Sequence, residues 1–192
     1  MTAATLPPPR HNGRLMLALV ASLLALPFAI AAGLYFGGWK PARTIQHGQL
    51  FEPPLALPAS GLLTGDGHPL PTADLHGKWL LILAVDGPCD QKCSQRIDEM
   101  RRIQVSLNKE MGRLRRVVLS NSAGDPALAA AGRQQPDLLI LGAPAGWLAG
   151  GNNEPLYIID PLGRRVIAYP AEVSAREVRT DLDRLLKFAW TG

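Results

Sequence analysis

The chain has 192 residues, enough for one domain plus additional segments, and its 20 basic and 16 acidic side chains leave a formal net charge of +4. The basic residues are scattered, with doublets only at Arg101/Arg102, Arg115/Arg116 and Arg164/Arg165, and no aromatics interleave with them. That excludes a clustered, stacking nucleic-acid surface, and two cysteines exclude a disulfide-stapled scaffold.

No fixed-period repeat is visible, and there is no Walker loop, HExxH, GxSxG or GxGxxG. Residues 1–14 read as a short tail carrying Arg10 and Arg14. Leu15 to Phe36 is an uncharged apolar run of 22 residues, long enough for the roughly 20 that a membrane-spanning helix needs. Pro27 is tolerable inside such a helix, and Tyr35 and Trp39 stand where interfacial aromatics belong. Ala29-Ile30-Ala31 also offers a signal-peptidase pattern, but the run exceeds the roughly 7–15 residues of a signal core, which favours an uncleaved anchor. Arg10 and Arg14 before the span balance Lys40 and Arg43 after it, so charge alone leaves orientation tied. The simplest topology exports the larger carboxy-terminal part and keeps the tail in the cytoplasm.

Residues 37–62, with Pro41, Pro53, Pro54 and Pro58, read as a semi-extended linker, and the domain is expected over 63–192. Leu62 to Asp74 reads as a weak hairpin or an irregular lead-in. Trp79 to Val85 is continuously apolar, as a central strand covered on both faces should be. A sharp turn, Asp86-Gly87-Pro88, then leads to Cys89 and Cys93. From Ser94 the apolar positions Ile97, Met100, Ile103, Leu107, Met111 and Leu114 form a helical stripe, with an end expected near Gly112.

Arg116 to Leu119 reads as a strand. Asp125-Pro126 is an N-cap followed by proline at the first helical position, opening a short helix to about Ala131. Asp137 to Leu141 could form another strand, and Gly142 to Asn153 reads as a loop. Leu156–Ile159 and Arg165–Tyr169 flank Asp160-Pro161-Leu162-Gly163, which fits a type I turn and hence a hairpin. Ser174-x-x-Glu177 is a capping box for a last helix bearing Val178, Leu182, Leu185 and Leu186 on one face. Strands alternating with helices, then an antiparallel pair and a closing helix, predict an α/β thioredoxin-like domain: a central sheet with flanking helices, behind one transmembrane helix.

Cys89 and Cys93 are the candidate site. Helical neighbours four apart lie about 5–6 Å apart at Cβ, wider than the roughly 3.5–4.5 Å of a disulfide. A bond between them therefore needs a loosened first turn, which Gly87-Pro88 favours. A helix start lowers a thiol's pKa, so Cys89, nearer the end, is expected to attack and Cys93 to resolve. The same thiolates suit Cu(I), a soft ion. The histidines are His11, His47, His68 and His76, none after Cys93, and His76 is the one close enough in sequence to serve as a third ligand. The competing reading makes both cysteines small core residues, and the compartment argues for function on the pair.

The single amino-terminal span, the GKW strand followed by GPCDQKC, the helix with RRIQVSLNKEMGR and the YIIDPLGR hairpin together resemble a family of small membrane-anchored proteobacterial proteins found with cytochrome c oxidase assembly factors. These are relatives of the Sco/SenC proteins in the thioredoxin-like superfamily. The resemblance implies a single-pass protein of the bacterial inner membrane with its domain in the periplasm. It implies oxidase subunits or other assembly factors as partners, and a role in maturing the oxidase copper centre by thiol–disulfide exchange, by Cu(I) delivery, or by docking alone. It matches Cys89 and Cys93 to the Sco cysteine pair. The distal histidine of Sco proteins has no counterpart here, and Ser94 stands where a proline follows the second Sco cysteine. Pro155 occupies the place where thioredoxins carry a cis-proline facing the disulfide.

Overall fold

The computed structural model describes residues 13–39, 46–122, 124–144, 147 and 155–188, which fall into two separate units divided after Ile45. The first is a single helix, α1 (Gly13–Phe36), with no buried residue and Pro27 inside it. Its 24 residues give a rod of about 36 Å, longer than the roughly 30 Å of a bilayer core.

The second unit is the mixed α/β domain. In chain order it comprises β1 (Gln49–Ala56), β2 (Leu62–Leu63), β3 (Pro69–Leu70), β4 (Trp79–Val85), α2 (Gln91–Ser106), β5 (Leu114–Ser120), α3 (Pro126–Gln134), β6 (Leu138–Gly142), β7 (Leu156–Ile159), β8 (Arg164–Tyr169) and α4 (Ala175–Phe188). The strands form one sheet in the order β1-β8-β7-β4-β5-β6-β2-β3. β4, β5 and β6 are parallel, and β7 is antiparallel to β4. The fold is the thioredoxin-like one that the alternation of strands and helices predicts.

β4 shows why its sequence is apolar throughout. Trp79, Leu81 and Leu83 face a core filled by Ile97, Met100 and Ile103 of α2, Leu128 of α3 and Val178, Leu182 and Leu186 of α4. Leu80 and Ile82 face the opposite core, closed by Leu57, Leu62, Leu75 and Trp147. A strand buried on both faces has no position for a polar side chain, so the period-two signal vanishes.

Two expectations need correction. Residues 49–56, read as linker, are an edge strand paired antiparallel with β8. Pro53 and Pro54 fall at the register shift between Leu50 and Leu55, where an edge strand tolerates a missing N–H. The segment before β1 is anchored too: the His47 N–H donates to Asp181 Oδ2 at 2.9 Å, and Tyr169 Oη donates to the same oxygen at 3.0 Å. Burial and the Asp181 carboxylate push the Tyr169 hydroxyl far above its ordinary pKa.

The second correction concerns α2, which stops at Ser106 rather than near Gly112. Asn108 takes φ +51°, a left-handed conformation that breaks the α-helix into a 3-10 turn over Asn108–Arg113. The turn between β7 and β8 forms where expected. Gly163 N–H donates to Asp160 O at 3.0 Å, and Gly163 itself sits at φ +75°. Its absent Cβ also leaves room for the His76 ring. The loop expected over 142–153 lies mostly outside the described residues, as does His11.

A second buried polar cluster centres on β5. Arg116, on β5 and fully buried, donates to Gln104 Oε1 at 2.6 Å, to Gln135 Oε1, and to Asp137 Oδ1 at 2.7 Å. It ties α2 to the end of α3 and the start of β6.

Candidate functional site

At the carboxy-terminal end of β4 the chain must leave a buried strand and enter a helix within five residues. Gly87 makes the bend at φ +91°, in the left-handed region open to glycine. Asn121, just past β5, holds the bend from the side. Its Oδ1 accepts from the Gly87 N–H at 2.9 Å and its Nδ2 donates to Asp86 Oδ1. Asp90 then caps α2: its backbone is extended, with ψ −173°, and its Oδ1 accepts from the Cys93 N–H at 2.9 Å.

The cap decides the cysteine geometry. With Asp90 as N-cap, Cys93 is the third residue of the helix and Cys89 lies outside it, before the cap. The helical i,i+4 separation therefore does not apply, and no loosened turn is needed. The Cα atoms stand 5.3 Å apart and the sulfurs are joined as a disulfide, within the usual span of such a bond.

Cys89 is fixed from a third side. Its N–H donates to Asp125 Oδ2 at 3.1 Å. Asp125 also caps α3, its Oδ1 accepting from the N–H groups of Ala127 at 2.7 Å and Leu128 at 3.3 Å. The Ala127 amide first, and the Cys89 amide after it, hold the Asp125 carboxyl below the usual carboxylate range. Ser94 Oγ lies 4.0 Å from Cys89 Sγ and donates to the Asp90 carbonyl at 3.1 Å.

The two cysteines differ in environment, opposite to the order expected from sequence. Cys89 is only 9% exposed and belongs to the helix-side core. Cys93 is half-buried and lines a groove of about 430 Å³ with Pro88, Pro155, Ala171 and Arg96. Arg96 builds the groove wall: it donates to Glu99 Oε2 at 2.7 Å, to Val173 O at 2.9 Å and to Ala171 O, drawing the segment before α4 against α2. Pro155 reaches the groove because its carbonyl accepts from the Ala84 N–H at 2.8 Å, extending the β4–β7 ladder by one step. The peptide bond preceding it begins at Glu154, outside the described residues.

His76 is not brought to the cysteines. It precedes the amino-terminal end of β4, beside the Gly163 turn, while Cys89 follows the other end. The seven residues of β4 separate the two by about 20 Å. His47 sits beside Asp181 of α4, and His68 in the turn between β2 and β3. Among the described residues no three His, Cys, Asp or Glu side chains gather as a metal site.

The Cys89–Cys93 pair and the N-cap at Asp125 were readable from sequence, whereas the cap at Asp90 was missed there. The reach of Asp125 to Cys89, the Asn121 brace and the Arg96 clamp are not, because each joins positions more than 30 apart. The cap spacing Asp90-x-x-Cys93 is the one local signal that Cys89 falls outside the helix.

Comparison with known proteins fits this geometry. The family model described as transmembrane-like, thioredoxin-like, C-terminal domain matches residues 79–189, more than half of the chain. The chain belongs to that family. No curated protein sequence matches it significantly. Among solved structures, apo Sco1 from Thermus thermophilus superposes with a TM-score of 0.57 at 18% identity, covering 76% of this chain and 99% of that one. Yeast Sco1 with copper bound gives 0.55 at 16% identity, over 71% and 91%. BsSco, a Sco-family cytochrome c oxidase assembly protein described with a disulfide switch, gives 0.53 at 13%, over 77% and 100%. At these identities the likeness is one of fold: a Sco-like thioredoxin fold carrying a close cysteine pair.

Proposed function

We propose that the protein is a membrane-anchored thiol–disulfide exchange factor acting in cytochrome c oxidase assembly, on the pathway that matures the copper site. In this reading it is a single-pass protein of the bacterial inner membrane, with its domain in the periplasm. The observation that carries it is the Cys89–Cys93 disulfide at the mouth of a groove, held by neighbours from three elements. A disulfide so placed is accessible to a partner, whereas a purely structural one would lie in the interior or on a featureless face. The Sco-like fold supplies the oxidase context by analogy.

In the exchange a thiolate of a partner dithiol attacks one sulfur of the pair, forming a mixed disulfide and releasing the other sulfur as thiolate. The partner's second thiolate then displaces the protein. The partner leaves as a disulfide, and Cys89 and Cys93 have gained two electrons and two protons.

Copper is the cargo of the alternative reading. Reduced, the two thiolates suit Cu(I), but the described residues offer no third ligand of the Sco kind, with His76 at the far end of β4. The donor set does not fit a Sco-type copper site, and no step is assigned to the metal.

The deciding experiment compares oxidase activity in cells carrying the wild-type chain or Cys89→Ser/Cys93→Ser. Loss of active oxidase at an unchanged protein level is the expected outcome. Full oxidase activity would remove the exchange reading and leave a docking scaffold. A Cu(I) competition titration on the reduced protein, with the same double variant as control, is expected to show no tight one-to-one site.

A further inference from the structure

Building on the exchange reading, we infer that Cys93, not Cys89, is the sulfur through which partners enter, so that the mixed disulfide forms on the second cysteine of the pair. Sequence order points the other way, since Cys89 is nearer the loop. The structure reverses the order because α2 begins after Cys89, and the chain carries Cys89 inward before the helix turns Cys93 toward the groove.

Attack on a disulfide runs nearly in line with the S–S bond, so the entering thiolate must come from the side opposite the leaving sulfur. Cys93 borders the groove that Pro88, Arg96 and Pro155 also line, so an entering thiolate can reach it from there. Cys89 is 9% exposed, belongs to the core and does not line that groove. Access therefore selects Cys93.

The backbone supports the same direction. The Cys89 N–H is held by Asp125 and the turn before it by Asn121, so Cys89 cannot swing outward without breaking contacts to two elements. Cys93 needs no such movement. Its position in the first turn of a 16-residue helix stabilises the thiolate released in the second displacement. In the balanced sequence, the partner thiolate bonds to Cys93 Sγ as the S–S bond breaks. Cys89 leaves as the buried thiolate and takes up a proton. The partner's second thiolate then forms its own disulfide and releases Cys93, which is protonated in turn.

Two measurements on the full chain in detergent test this. The first follows 5,5′-dithiobis(2-nitrobenzoate) reacting with the lone thiol of each single variant. The Cys93 thiol in Cys89→Ser is expected to react at least about tenfold faster than the Cys89 thiol in Cys93→Ser, the margin that access commonly sets. Equal rates, or a faster Cys89, would overturn the inference. The second needs no variant and guards against misfolding: the oxidised wild type is exposed to glutathione, quenched in acid, alkylated and peptide-mapped. The glutathione adduct is expected on Cys93, and an adduct chiefly on Cys89 would overturn the inference. Neither measurement depends on oxidase, so a correct order of reactivity with a fully active double-serine strain would refute the exchange reading alone.

Discussion

Asp125 links two functions through two different oxygens. Oδ1 serves the first turn of α3 and Oδ2 serves the Cys89 amide. An asparagine has one carbonyl oxygen and would turn its NH₂ toward the other N–H, so Asp125→Asn cannot satisfy both. Asp125→Asn is expected to lower the melting temperature at pH 7, read by circular dichroism. The pH dependence follows from the direction of the shift. The folded carboxyl lies below its ordinary value, so its contribution is complete above the unfolded pKa of about 3.9 and is lost as pH falls through the folded one. The gap between wild type and variant should therefore narrow as the pH falls below the ordinary carboxylate range and the Asp125 carboxyl takes up its proton; a gap that stays constant or widens on acidification would contradict this account. At this scale sequence reading reached the cap and stopped there. Asp125-Pro126 is local chemistry, whereas the second acceptor depends on a backbone 36 positions away.

Among the elements, those with a periodic apolar stripe or a cap were legible: β4, α3, α4 and the β7–β8 hairpin lie where pattern places them, and α2 does so except at its end, which falls at Ser106. β1 was not, because Glu52-Pro53-Pro54 reads as linker and because an edge strand with one neighbour shows little alternation. The consequence is practical. A fragment cut at residue 63, the boundary suggested by composition, loses β1 and with it the cover of β8. It also loses Leu57 and Leu62 from the second core. An uncovered β8 edge is a template for pairing with another chain. The fragment 46–192 is expected to elute as a single symmetric peak in size-exclusion chromatography, and 63–192 to aggregate. A monodisperse 63–192 fragment with a cooperative melt would show that β1 is dispensable.

For the whole molecule, the anchor and the cysteine pair make one argument. α1 is apolar from Leu15 to Phe36 and has no buried residue, which is consistent with a membrane anchor or a signal sequence. The domain holds its disulfide without help from α1, because every group that fixes Cys89 and Cys93 lies within residues 86–125. Under the proposed topology the helix adds compartment: a disulfide persists outside the cytoplasm and is reduced within it. The two roles of α1 separate in a carbonate wash, and the compartment is read by the thiols. In membranes washed with carbonate, the full chain is expected to stay in the pellet and to resist maleimide–polyethylene glycol until dithiothreitol is added. The fragment 46–192 made in the cytoplasm is expected to take two labels without reductant. A full chain labelled at both cysteines without reductant would place the domain on the reducing side of the membrane, where oxidised Cys89–Cys93 could not persist as an acceptor of electrons.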